Sequence, residues 1–325
     1  MRRAVVACAF VAVLAGPGRA VAWWPVVAVD QSHPVRGGFL DPRSGGLHRG
    51  IDVGVRDDRP EPDAPPGYSH RVYAIENGVV LATRMDLRCG PLMIGRFVYG
   101  HVRPVVDVGE SVPAGQHVGW SCRERAGGWH VHVTELDRPW GEPGARYLNP
   151  LRPGGLLTPF ADSAPPVIYG LRVLTATGAP TDGILSGRVD PQIRVGDPVT
   201  TGWPGKLWFL NTEHNVPYEL AYELTNGAGQ VVRARARRFD VAPPIPFRFF
   251  YVLQTEPVRN VPAQRCVDSQ PADCKRINWL HLWMRPAGYL LDTRELPNGR
   301  YVLVVTARDT RGNETSASLS VLVRN

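Results

Sequence analysis

Apolar and polar residues alternate over short runs along most of the chain, and Gly, Pro and Asn break the alternation every few positions. "RVYAIENGVVLATRM", residues 71–85, reads as strand, Asn-Gly turn, strand. "RFVYGHVRPVVDVGESVPAGQHVGWSC" continues with short strands, and "WHVHVTE" follows as another. No stretch keeps a helical period beyond a turn or two, so the chain up to about residue 158 is expected to form an antiparallel β-sheet. "RDDRPEPDAPPGYSH" interrupts it with acids and prolines and reads as a surface loop.

"YLNPLRPGGLLTPFADSAPP" is dense in Pro and Gly and marks a boundary. Strand-like runs then resume: "VIYGLRVLTA", "KLWFLN", "YELAYEL" turning through "TNGAG" into "QVVRARA", and "FRFFYVLQ". Near the end Tyr301, Leu303, Val305 and Ala307 alternate on one face, as do Ala317, Leu319, Val321 and Val323 after "TRGNE". That is a hairpin with one buried face. The expected fold class is all-β: an antiparallel β-sheet domain over residues 23–158, then a β-sandwich of immunoglobulin or fibronectin III kind over residues 159–325. The sandwich is an architectural analogy, since no Cys…Trp…Cys signature accompanies it.

Length agrees with two domains, because 325 residues exceed one ordinary core. The 34 glycines and 31 prolines fit a loop-rich β protein. Residues 1–22 read differently. Arg2 and Arg3 precede the short apolar run "AVVACAFVAVLAG", and "AVA" at Ala20 to Ala22 offers a small-residue cleavage site. This predicts a signal peptide and an exported mature chain, periplasmic or extracellular, starting near Trp23; an uncleaved membrane anchor is the alternative. Four cysteines lie beyond the leader, and two disulfides, Cys89–Cys122 and Cys266–Cys274, are the simplest pairing, with four buried thiols as the alternative. The formal charge of +7 falls to +4 without Arg2, Arg3 and Arg19, and no Lys/Arg block occurs, so nucleic-acid binding is unsupported.

The candidate chemistry lies in histidines. In a strand, residues i and i+2 share a face, so His130 and His132 of "WHVHV" point together. Upstream, His48 and Asp52 form H-x-x-x-D, where Gly50 would allow a turn bringing both to one ion. His101 sits in "FVYGHV". In that order, H-x-x-x-D, "YGH" and H-x-H resemble the lysostaphin/LytM-type zinc peptidases, peptidase family M23. Those are compact antiparallel β proteins that cut peptide bonds of bacterial cell-wall peptidoglycan. "GGFLDPRSGGLHRGID", "VYAIENGVV", "VGESVPAGQHVGW" and "LNPL" resemble the segments around those motifs, and the resemblance spans roughly residues 33 to 153.

The resemblance implies that His48, Asp52 and His132 ligate Zn2+ and that His101 and His130 are the non-ligand histidines beside it. Two imidazoles and one carboxylate suit a catalytic zinc with an open position, and histidine can relay protons near neutral pH. Which of His101 and His130 is the base stays open, and no tyrosine upstream of His48 stands out to stabilise an oxyanion. The family's "T-G-P-H-L-H-F-E" is here "AGGWHVHVTE", with Trp129 expected to pack, or else to narrow the groove. His33, His70, His117 and His214 read as exposed or structural. Trp279, His281 and Trp283 read as packing, with a carbohydrate-stacking strip as the alternative. There is no G-x-S-x-G and no H-E-x-x-H, and the Asp57-Asp58 pair lies in a polar loop. The expected function is an exported zinc endopeptidase with peptidoglycan peptides as substrate and the sandwich as a cell-wall or protein contact. A catalytically silent module that binds wall or regulates another hydrolase, and a secreted protease acting on proteins, are the competing readings.

Overall fold

The computed structural model describes residues 23–43, 46–55, 59–84, 89–124, 128–198, 215–244, 279–283 and 288–325. The leader, "KLWFLN", "FRFFYVLQ", His214 and the Cys266–Cys274 pairing lie outside the described residues. Among the described residues there is no α-helix, only a 3₁₀ turn at Thr293–Glu295.

The first part is built from β1 (Val35–Gly37), β2 (Pro42–Arg43), β3 (Gly46–Leu47), β4 (Ile51–Gly54), β5 (Tyr68–Tyr73) and β6 (Gly78–Thr83). It continues with β7 (Gly90–Ile94), β8 (Phe97–Pro104), β9 (Ser111–Val112), β10 (His117–Glu124), β11 (Gly128–Leu136) and β12 (Tyr147–Leu148). Its main sheet runs β1-β4-β11-β10-β8-β7-β6-β9, with β5 on β10 and β12 on β11, and β8 also pairs directly with β11. The pairings are antiparallel. Alternation explains the burial. In β7 Leu92 and Ile94 are fully buried while Pro91 and Met93 are partly exposed, the period-two pattern of a strand with one core face. Phe97 and Tyr99 of β8 fill the same interior, and the Tyr99 hydroxyl accepts from the Ile75 amide at 2.8 Å, so that hydroxyl is not stranded.

Two expectations need correction. The strands flanking Asn77-Gly78 exist but do not form a hairpin: β5 pairs with β10, and β6 pairs with β7 and β9. Ala74 and Ile75 between them are buried, so the connection passes through the core instead of turning back at the surface. The loop read over residues 56–70 ends earlier than expected, because Tyr68, Ser69 and His70 are buried in β5. Ser69 and His70 look like loop residues by type, but the Ser69 hydroxyl and His70 Nδ1 satisfy each other at 2.7 Å and can therefore be buried. The Cys89–Cys122 disulfide is formed, with Cα atoms 5.8 Å apart.

The second part contains β13 (Val167–Thr175), β14 (Ile184–Leu185), β15 (Arg188–Gly196), β16 (Glu219–Asn226) and β17 (Val231–Arg238), then β18 (Trp279–His281), β19 (Leu291–Asp292), β20 (Gly299–Arg308) and β21 (Glu314–Val323). One sheet is β13-β15-β18 with β19 on β15; the other is β14-β21-β20-β16-β17. The terminal hairpin forms as expected, with Tyr301 opposite Val321, Leu303 opposite Leu319 and Val305 opposite Ala317. Buried apolar side chains run continuously from the first part into the second. Backbone joins them too: Asn149 donates to the Asp240 carbonyl and Ala242 to that of Tyr147, each at 2.8 Å. Val216 donates to Asp41 Oδ1 at 3.2 Å.

Candidate metal centre

Three strands converge on one row of the main sheet. His132 of β11 lies opposite Asp52 of β4 on one side and Gly100 of β8 on the other. Directly opposed residues in an antiparallel ladder share a face, so the Asp52 carboxylate and the His132 ring project together. His48 enters from the approach to β4, four residues before Asp52. Its Nε2 lies 3.2 Å from Asp52 Oδ1 and 2.9 Å from His132 Nδ1, and His132 Nδ1 lies 3.0 Å from Asp52 Oδ1. The edge of a zinc tetrahedron with ligands at about 2.0–2.1 Å is about 3.3 Å, so these three atoms are spaced to share one small ion.

The other ring nitrogens set which atoms face the ion. His48 Nδ1 donates to the Gly38 carbonyl at 2.7 Å, leaving the Nε2 lone pair for a metal. His132 Nε2 lies 3.0 Å from the Thr134 hydroxyl, which as acceptor would leave Nδ1 for a metal. Such outer partners fix tautomer and ring orientation. Burial alone would push the Asp52 carboxyl up, but the His48, His132 and His130 rings beside it together hold it well below the usual carboxylate range. The donor set, two nitrogens and one carboxylate oxygen, fits zinc with a position left open.

The close approach of the strands requires two glycines. A Cβ at Gly50 would sit 2.3 Å from the Val133 carbonyl oxygen and 2.9 Å from the His132 ring; one at Gly100 would sit 3.0 Å from His132 Cβ. Gly50 is therefore needed for space, since it is not among the positive-φ glycines.

His101 and His130 join this row by different routes. His130 shares the face of His132 at i−2, its Nε2 3.9 Å from Asp52 Oδ1, and it is 1% exposed. Arg36 Nη1 donates to its Nδ1 at 3.1 Å. An arginine has no acceptor, so His130 Nδ1 must accept and Nε2 carries the ring proton. His101 reaches the site through a β-bulge. Leu92 pairs with Tyr99 and Gly90 with Val102, so Gly100 and His101 together oppose the single Pro91. His101 takes φ +59° there, and its ring centroid lies 4.5 Å from that of His130 and 6.4 Å from that of His132.

The four histidines and one aspartate expected from the motifs thus come together in space. Sequence reasoning missed Arg36, Thr134 and Gly38 around them. It also missed the job of Glu135, which is fully buried and held by Arg96 at 2.9 Å and by Arg152 at 2.6 and 2.8 Å. Trp129 packs against the core, and Trp283 packs on Tyr222 with centroids 4.5 Å apart, so both are packing residues. His281 pairs with Asp190 at 2.8 Å and stacks on Tyr289, and both it and Trp283 are 3% exposed, as packing residues are. His33, His70 and His117 bond to the Ala28 carbonyl, Ser69 and the Gly119 carbonyl, away from the row.

No family model matches the sequence, and no curated protein matches it. Solved structures do. The catalytic domain of the antimicrobial peptidase lysostaphin from Staphylococcus simulans is 22% identical over 37% of this chain and 90% of that one, with a TM-score of 0.27. A protein from Pseudomonas aeruginosa described as a possible M23 peptidase is 20% identical over 35% of this chain and 48% of that one, with a TM-score of 0.23. Lysostaphin from Staphylococcus simulans is 16% identical over 65% of this chain and 76% of that one, with a TM-score of 0.28.

Proposed function

We propose that the protein is an exported zinc-dependent endopeptidase acting on peptide bonds of bacterial peptidoglycan. The observation that carries the reading is the convergence of His48 Nε2, Asp52 Oδ1 and His132 Nδ1 within 3.2 Å, each imidazole oriented by a partner on its other nitrogen, beside two further histidines. In the proposed organisation residues 1–22 are a signal peptide, 23–158 form the peptidase domain, and 159–325 form an immunoglobulin-like sandwich contacting wall or protein. Among the described residues no helix is long and apolar enough to cross a membrane.

His48, Asp52 and His132 would hold Zn2+, which when bound supplies Lewis-acid polarisation of a carbonyl and makes water more acidic. His130 presents an Nε2–H because Arg36 occupies its Nδ1, so it acts as a hydrogen-bond donor toward negative oxygen. His101, more accessible and adjacent to it, is left to accept the proton from water and return it to the leaving amine. This division assigns the oxyanion role that no tyrosine fills.

The test is metal content and digestion of purified peptidoglycan by the mature wild type, His132→Ala, His130→Ala and His101→Ala. About one zinc per chain is expected in the wild type and in the last two, with strong loss in His132→Ala. Release of new amino termini from peptidoglycan is expected from the wild type alone. A wild type that binds zinc and wall but cleaves nothing would be a silent module. One that cleaves folded proteins and leaves peptidoglycan intact would be a general secreted protease. A wild type without zinc would remove the assignment altogether.

A further inference from the structure

A second group of metal-capable side chains lies away from the histidines. Asp162 lies within the Pro- and Gly-rich connection, Asp197 stands just past β15, and Asp309 opens the β20–β21 turn. Each offers a carboxylate oxygen, and the three oxygens lie within 4.8 Å of one another. Oxygens on opposite sides of a calcium ion, at about 2.4 Å each, are about 4.8 Å apart. The three segments therefore come close enough to share one ion.

Proximity of acids alone identifies nothing; the state of Asp197 is what calls for a ligand. Asp197 is 6% exposed, and its Oδ1 has no hydrogen-bond partner. Asp162 Oδ2 is likewise buried without a partner, although its Oδ1 accepts from the Ala164 amide at 3.0 Å. A third unsatisfied side chain adjoins them. Asn215 is 2% exposed, both its amide oxygen and nitrogen lack partners, and its backbone bridges Asp197 directly. Opposed residues of an antiparallel bridge share a face, so the Asn215 amide lies beside the Asp197 carboxylate. Native interiors rarely leave such groups unpaired, and a buried carboxylate without a donor or counter-charge is costly. Burial and the fields of Asp162, Asp309 and Asp41 push the Asp197 carboxyl well above its usual range, which reports the same deficit of positive charge.

The third ligand is already positioned. Asp309 Oδ1 accepts from the Arg311 and Asn313 amides at 2.7 and 2.9 Å, and Oδ2 accepts from Asn313 Nδ2 at 2.6 Å. Asn313 Nδ2 also donates to the Asp162 carbonyl at 3.1 Å, tying the connection to the turn. Arg311 offsets part of the charge on Asp162. Carboxylates with an amide oxygen nearby, and no nitrogen or sulfur donor, select a hard cation over zinc.

We propose that Asp162, Asp197 and Asp309 bind a divalent cation of the calcium class, which fastens the connection after the first sheet to both sheets of the second part. The site is separate from the histidine row but linked to it structurally. Asn215 packs over Gly38, where an added Cβ would lie 2.9 Å from it, and the Gly38 carbonyl holds His48 Nδ1. Cation binding thus steadies a wall of the proposed zinc centre.

The test is calorimetric titration and thermal unfolding of the mature, zinc-replete protein with CaCl2, and separately with MgCl2. About one calcium per chain is expected, with Tm raised by roughly 4 °C at a hundredfold excess over Kd. His132→Ala should bind calcium as the wild type does, which separates this site from the zinc centre. Asp197→Asn, nearly isosteric, should lose at least about tenfold in affinity, as should Asp309→Asn. If Asp309→Asn fails to fold for want of its turn hydrogen bonds, the wild type and Asp197→Asn still decide. Absence of binding by either cation, or wild-type affinity in folded Asp197→Asn, overturns the proposal. Absence of binding with Asp197→Asn more stable than wild type would mean that the carboxylates share a proton instead.

Discussion

Gly50→Ala is the sharpest probe of how the histidine row is built. The new methyl would sit 2.3 Å from the Val133 carbonyl oxygen and 2.9 Å from the His132 ring. Contacts under about 3 Å do not persist, and the first obstacle is backbone, so β4 and β11 must separate by on the order of 1 Å. That separation falls where Asp52 opposes His132. Overpacking of this kind costs about 1–3 kcal/mol. Displacing ligands that are now matched to one ion should weaken zinc by about 10–100-fold, the scale seen when outer partners are removed. The control is Gly109→Ala, at φ +90° with nothing within 4 Å of the new atom, which carries conformational strain but no collision. Urea unfolding of the metal-free proteins and competition with a chromogenic zinc chelator read the two effects. Both variants should lose stability, and only Gly50→Ala should lose zinc affinity. If Gly50→Ala holds zinc within about threefold of wild type, the close approach of β4 and β11 is not what positions Asp52 and His132.

Further outcomes follow from neighbouring features. His101 is held at φ +59° in its bulge, so His101→Gly should be more stable than His101→Ala by about 0.5–1 kcal/mol in urea unfolding, the reverse of the usual order in a strand; the usual order would show that the bulge is absent. Glu135→Ala leaves Arg96 and Arg152 without their buried partner and should cost about 3 kcal/mol, at the low end for a buried ion pair because both arginines keep some solvent. The Cys89–Cys122 bridge closes a separation of 33 residues, so replacing both cysteines with alanine should lower stability by up to about 3.7 kcal/mol on loop entropy alone. An unchanged unfolding midpoint in Cys89→Ala/Cys122→Ala would show that the bridge does not form in solution.

Legibility of the fold and site in the sequence follows the range of each interaction. The shared face of His130 and His132 depends only on strand periodicity, and the alternation at Tyr301–Ala307 predicts the final hairpin for the same reason. Pairing between strands is another matter. The Asn-Gly dipeptide at Asn77-Gly78 is a strong local turn signal, yet β5 finds β10 instead, because Ala74 and Ile75 gain more by entering the core than by closing a hairpin. The outer partners of the metal-facing atoms were invisible for a related reason. Gly38 contributes a carbonyl, which any residue could supply, and Arg36 meets His130 across 94 positions with no spacing to mark it. His101 was found by its motif, but its route into the site depends on a bulge created by the register of β7 against β8, which neither strand encodes alone. Asp162, Asp197 and Asp309 are the extreme case, scattered singly through unrelated segments and brought together only by tertiary folding. Local chemistry therefore marked the residues that touch the proposed zinc, while tertiary contacts supplied the residues that orient them. Substitutions in the second group, Gly50→Ala foremost, are where the reading is most exposed to test.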